Sequence, residues 1–171
     1  MNDTKIIAQA EKALTRAGIN KLPISPVDVA QSLGVTVKLG LLPEDLSGFL
    51  MLEGDAAIIG VNSVHPKPRQ RFTIAHELGH FLLHPSRNFV DRQVLYFRDS
   101  RSSQAVDVAE IEANKFAANL LMPERFVNKL VKGRPVDLQD DERVEELARA
   151  FGVSTQAVVF RLANLNLTRN R

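Results

Sequence analysis

Apolar residues recur at helical spacing over residues 4–17, where Ile6, Ile7, Ala10, Leu14 and Ala17 define one face and Gly18 can close the segment. Ser25-Pro26 opens a second, short helix through Leu33, with Ser as N-cap, Pro at the first helical position and Gly34 past the end. The period then changes. Residues 35–39, 48–53 and 56–62 read as strands, the last two joined in a hairpin at Gly54-Asp55. The basic, proline-broken HPKPRQR (65–71) leads into RFTIAHELGHFLLH (71–84), a helix that is apolar nearly all round and therefore belongs in a core. Pro85 ends it. Residues 107–123, DVAEIEANKFAANLLMP, read as an amphipathic helix, and PERFVNKLVKG (123–133) as another closed by Gly133. Residues 134–141 are polar, contain a proline and read as a linker. Beyond it, 142–167 reads as two amphipathic helices with a turn at Gly152-Val153-Ser154, a helix-turn-helix-like pair. This order predicts an α+β fold with a small antiparallel sheet beside the 71–84 helix. It predicts one main domain, 1–133, and a C-terminal segment, 134–171, packed on it.

The core helix carries unexpected chemistry. His76, Glu77 and His80 form an H-E-x-x-H pattern. Residues four apart stack on one helix face, so His76 and His80 can offer two imidazole nitrogens to a single ion. Neutral imidazole suits Zn²⁺, and Glu77 is placed to deprotonate a water at the metal. Two stacked histidines on an exposed polar helix would mean nothing. Here Phe72, Ile74, Ala75, Leu78, Phe81, Leu82 and Leu83 surround them, and polar groups buried in such company need partners. A metal satisfies all three. His84 continues the stripe, but eight residues of helix place it about 12 Å from His76, too far to share one ion. It reads as a helix C-terminal or supporting residue, and His65 as a loop residue.

The third ligand is expected on the next helix, whose acidic candidates are Glu110 and Glu112. Asp107 followed three residues later by Glu110 has the form of a capping box, which gives Glu110 a structural task. Glu112 shares a stripe with Phe116 and Leu120, and a carboxylate on a buried stripe needs a cation. Glu112 is therefore the expected ligand, with Glu110 as the alternative. Two His and one Glu leave an open position for water, the arrangement of catalytic sites, and a chain without cysteine cannot build a closed thiolate site. Such a set suits Zn²⁺, while Mn²⁺ or Fe²⁺ can occupy it when supply favours them.

Composition narrows the class. At 171 residues and 19.0 kDa one substantial core is expected. The absence of cysteine, of an apolar leader and of any stretch near ~20 apolar residues points to a cytoplasmic protein with no membrane partner. Net charge is +2, so the pI near 9.1 is weak support for a nucleic-acid partner.

HELGHFLLH followed by EIEANKFAANLLMP resembles the ImmA/IrrE-type zinc metallopeptidases of bacteria and their mobile elements, and the likeness extends to SPVDVAQSLGVTVKLG (25–40) and FRDSRSSQAVDVAEIEAN (97–114). The resemblance implies a zincin-like fold in which His76, His80 and Glu112 bind zinc and Glu77 is the catalytic base. It also implies a substrate class: a regulatory protein, an Xre- or DdrO-type helix-turn-helix repressor, whose cleavage switches on phage, mobile-element or stress genes.

The expected function is thus an intracellular zinc endopeptidase. A peptide could add to a free edge of the sheet and cross the metal. Tyr96, Arg98 and Arg101 are candidates to line the cleft, although Tyr96 among Val94, Leu95 and Phe97 reads first as a packing residue. The alternative is a non-catalytic DNA- or protein-binding regulator that keeps the peptidase fold. Ser154, Thr155, Gln156 and Arg161 in the 142–167 pair would then reach bases. Glu142, Glu145 and Glu146 on its first helix disfavour approach to phosphates, and Glu77 has no use in a retired enzyme.

Overall fold

A computed structural model of the chain describes residues 2–54, 56–85, 89–92 and 103–169, with the side chains of 89–92 and 103–107 outside the description. Its elements in chain order are α1 (Asp3–Arg16), α2 (Pro26–Ser32), β1 (Val35–Gly40), β2 (Leu46–Glu53), β3 (Ala56–Asn62), α3 (Lys67–Leu83), β4 (Phe89–Arg92), α4 (Ser103–Leu121), α5 (Glu124–Val131), β5 (Val136–Asp137), α6 (Asp141–Phe151), α7 (Thr155–Asn164) and β6 (Thr168–Arg169). The class is α+β. Asn2, Ser25, Asp140 and Ser154 each cap a helix by accepting a backbone N–H, so the predicted Ser25-Pro26 start of α2 is realised atom for atom.

The sheet has the order β1-β3-β2-β4 and is mixed, not antiparallel as the sequence suggested. Glu53 pairs with Ala56 in the antiparallel β2–β3 hairpin, and β1 then runs parallel to β3 along the other edge. The short connection between β1 and β2, residues 41–45, makes this possible by crossing past β3. Asn62, fully buried at the end of β3, donates its amide N–H groups to Leu42, Pro43 and Leu46 carbonyls and so holds that crossing in place. β4 pairs antiparallel with β2, so the outer strands are β1 and β4.

α3 lies tight against the sheet. A Cβ at Gly48 in β2 would come within 2.4 Å of Thr73 Cγ2 and 2.7 Å of the Gly60 carbonyl, so only glycine lets the helix approach this closely. Every residue from Thr73 to His80 is buried, as the apolar pattern of the segment required. On its other side α3 meets α4 at Gly79, where an added Cβ would stand 2.9 Å from Ala113 Cα.

The C-terminal elements share the main core. Val144, Leu147, Phe151, Val158 and Leu162 join one buried cluster with Ile6, Leu14, Leu78, Phe116 and Leu120. Residues expected as a linker contain β5, which pairs parallel with β6 and buries Val136. Arg71 ties the segment down: its guanidinium donates to the carbonyls of Ile24 at 2.5 Å, Gly152 at 2.8 Å and Phe151 at 3.2 Å. Burial pulls its pKa down, though such a group stays protonated in neutral solution. Among the described residues no helix is long and apolar enough to cross a membrane.

Candidate metal centre

α3 presents His76 and His80 one turn apart with their Nε2 atoms 3.0 Å from each other. The rings meet edge to face at a centroid separation of 4.6 Å. α4 completes the group with Glu110, whose Oε2 lies 3.1 Å from His76 Nε2 and whose Oε1 lies 3.2 Å from His80 Nε2. The three ligating atoms fall within 4.8 Å of one another. Two donors on one tetrahedral zinc ion stand about 3.3 Å apart, given bonds of ~2.0–2.1 Å. The donor set and its spacing therefore fit a zinc ion, and the same atoms suit other divalent transition metals.

The electrostatics run the same way. Burial would raise the Glu110 carboxyl, but hydrogen bonds from His76 and His80 and their positive charge outweigh it and bring it down to about 2. That shift belongs to imidazoles protonated at Nε2; a bound metal would displace those protons and supply the positive charge in their place. Behind the group, Asn114 Oδ1 lies 3.0 Å from His76 Nδ1. An Nδ1–H donated to that oxygen orients the ring and leaves the Nε2 lone pair for a metal. Asn114 follows Glu110 by one helical turn, so one face of α4 supplies both the carboxylate and the amide.

Glu77 is completely buried, with its Oε1 3.7 Å from the position a Cβ would take on Gly48. It therefore lies between α3 and β2, next to the paired histidines in sequence and beneath the sheet. A cavity of about 270 Å³ opens over the group, lined by Ser47, Arg69, Phe72, Thr73, His76, Glu110 and Asn114. Arg69 donates to Ser47 Oγ at 2.8 Å and so brings a guanidinium to its wall.

Glu112, the carboxylate expected from the sequence, is not part of this group. Its Oε2 lies 3.4 Å from His84 Nε2, and the pair joins the end of α3 to α4. His84 is the C-cap of α3 and donates its backbone N–H to His80 O, consistent with a terminal, supporting place. The exchange of Glu110 for Glu112 has a physical cause. α4 begins at Ser103, four residues before the expected cap at Asp107, so Glu110 sits well inside the helix and no capping box can occupy it. Asn114, Arg69 and Ser47 were not singled out from the sequence at all. Only Asn114 left a signal, as a polar residue one turn beyond a carboxylate on an amphipathic helix. Tyr96, Arg98 and Arg101 lie outside the described residues.

The 142–167 pair is also more specific in the structure than in the sequence. Arg161, a candidate for base contacts, is only 6% exposed and donates to Met122 O and Asn119 Oδ1, both at 2.9 Å. Ser154 accepts from Ala157 N as the cap of α7. Two of the four residues considered for DNA contact are thus engaged inside the protein.

Comparison with known proteins places the chain in a family. An uncharacterized immunity region protein of Bacillus phage phi105 is 32% identical over 119 residues, covering 69% of this chain and 72% of the relative. A solved structure titled as a transcriptional regulator of Mycobacterium tuberculosis superposes with a TM-score of 0.64 at 22% identity, over 98% of this chain. This chain spans 48% of that protein's length, and at such identity the likeness concerns the fold. Residues 30–163 match the family of the IrrE N-terminal-like domain, a peptidase family, and the chain belongs to it.

Proposed function

We propose that the protein is a zinc-dependent endopeptidase that hydrolyses a peptide bond in a regulatory protein. The observation that carries this reading is the convergence of His76, His80 and Glu110 from two helices on one point under an open cavity. In this reading the three side chains hold the ion. The chemistry zinc supplies at such a site is Lewis acidity, towards a carbonyl oxygen and towards water. Glu77 is the chain's own proton carrier. It accepts the proton that water gives up on attacking the carbonyl and returns it to the departing amine. Asn114 holds His76 in the ligating tautomer, and the cavity wall of Ser47, Arg69 and Phe72 receives the peptide. β2 is enclosed between β3 and β4, so among the described strands a peptide that adds as a strand would do so on β1 or β4, and β4 is the one that neighbours β2. The likeness to a phage immunity region protein supports a regulator as the substrate, in particular a helix-turn-helix repressor of the Xre or DdrO type.

Metal content and cleavage test the two halves separately. Purified chain supplied with zinc is expected to hold about one ion, to lose it in Glu110→Ala and to keep it in Glu112→Ala. Loss in Glu112→Ala alone would move the third ligand back to that residue. Glu77→Gln is expected to keep the ion and to stop cleavage of a repressor from the same genetic element. A Glu77→Gln protein that still cut at the wild-type rate would end the proposed role of that carboxylate.

A further inference from the structure

A second concavity adjoins the metal cavity and is the larger of the two, at about 530 Å³. It runs between α7 and the α3–α4 pair, and Arg69, Phe72 and Asn114 line both spaces. Its floor is apolar, built from Phe72, Ala118, Met122, Val153 and Ala157. Phe160 is 61% exposed on α7, while Val158 and Leu162 beside it on the helix are buried in the core. An aromatic ring left in water on the rim of an apolar groove is what recognition of an apolar segment uses. The lining charges are all of one sign: Arg69, Lys115 and Arg161, with no carboxylate among the described lining residues. Arg161 is buried beneath the floor, and Lys115 reaches Asp3 at 2.7 Å through an exposed contact that is easily exchanged.

We propose that this groove is the docking site of the protein substrate and takes an apolar segment flanked by acidic residues. The docking role rests on the peptidase reading, and it deepens it by assigning the selection of the substrate to α7 instead of to the metal cavity. The continuity of the two spaces carries the proposal. A chain seated against Phe160 and Met122 passes Phe72 and Asn114 and arrives at the histidines without leaving the protein surface. The volume lies within the range of recognition pockets, about 300–1,000 Å³, whereas the metal cavity alone has room for little beyond the scissile bond. The fold explains why α6 and α7 are fastened to the body by Arg71 and Arg161: a docking wall must keep a fixed distance from the reacting centre.

The test uses the full chain as Glu77→Gln, supplied with zinc. Its probe is a fluorescein-labelled amphipathic peptide of about 16 residues with Leu and Phe on one face and Glu at both ends, beside a twin in which Lys replaces every Glu. Fluorescence anisotropy is expected to show binding of the acidic peptide, weakened at least about tenfold by Phe160→Glu. Gln156→Glu, on an exposed residue of the same lining, is expected to weaken it in the same direction and guards against a misfolded Phe160 variant. The Lys twin is expected to bind at least about tenfold more weakly than the acidic peptide. No binding of the acidic peptide up to about 1 mM, equal binding of the twin, or indifference to both substitutions would overturn the proposal. Glu110→Ala separates the two readings, because it removes a zinc ligand and leaves the groove intact. Peptide binding in a chain that never holds zinc would sink the peptidase and spare the groove. Zinc binding with no peptide binding would do the reverse.

Discussion

Gly79→Ala probes how the metal centre is assembled, because two opposed effects can be weighed from the structure. In the interior of a helix the change ordinarily stabilises by about 1 kcal/mol through backbone entropy. At this position the new methyl would stand 2.9 Å from Ala113 Cα, 3.1 Å from Ala113 O and 3.2 Å from Phe116 Cβ. The first two are backbone atoms of a helix whose inner face, including Ala113, Phe116 and Ala117, is fully buried, so no side chain can swing aside. Relief requires α3 and α4 to separate by roughly 0.5 Å, and overpacking of this kind costs about 1–3 kcal/mol. The steric cost is expected to match or exceed the gain, leaving a net loss of up to about 2 kcal/mol. For a chain of this size that lowers Tm by at most roughly 8 °C.

The same separation reaches the ligands, since Glu110 is carried on α4 and the histidines on α3. A displacement of about 0.5 Å is at the tolerance of a preorganised site, and zinc affinity is expected to fall about tenfold. The assays are a thermal melt of metal-free protein followed by circular dichroism and a competition titration against a chromophoric chelator. Adding Ala113→Gly is expected not to rescue either quantity, because the clash is with Cα and O, which glycine retains. A Tm that rises with zinc affinity unchanged would refute the idea that contact at Gly79 sets the helix spacing.

Three further outcomes are expected. Asn114→Ala weakens zinc binding about 10–100-fold in the same competition assay while changing the Tm of metal-free protein little, as befits a residue that orients His76. Glu112→Ala keeps the zinc ion but costs about 1–3 kcal/mol in urea denaturation, because it removes a buried carboxylate that joins α4 to the end of α3 at His84. Arg71→Met removes three carbonyl contacts and costs about 2–4 kcal/mol, with amide hydrogen-exchange protection lost first in α6 and α7.

Much of this was legible in the sequence because it depends on short-range pattern. The cap of α2, the β2–β3 hairpin and the burial of 73–80 follow from residue type and period alone. The stacking of His76 on His80 follows from helical geometry. What the pattern does not contain is pairing between distant segments. Nothing in residues 35–39 says that β1 will run parallel to β3, since that depends on how the 41–45 connection crosses the sheet. Nothing in residues 134–141 announces β5, whose partner is 32 residues away at Thr168. Arg71 and Arg161 read as surface charges in a sequence, and only tertiary structure reveals the carbonyls that hold them.

The choice between Glu110 and Glu112 is the instructive case, because the needed information was in the chain but was held by small residues. At 3.6 residues per turn, each residue advances about 100° around α4. Ala113 touches Gly79 and so marks the line along which the helices meet. Glu110 then lies about 60° to one side of that line and Glu112 about 100° to the other, so one ion cannot take both. Asn114 falls within about 40° of Glu110, on the same side. The glycine between the two histidines needs a small residue opposite, and an alanine flanked by Glu112 and Asn114 is the natural partner. Read this way, an amide one turn after Glu110 selects that side for the histidines and leaves Glu112 for His84. The apolar stripe through Phe116 and Leu120 shows which half of α4 is buried, whereas the Gly79–Ala113 contact decides which flank of that half meets His76 and His80.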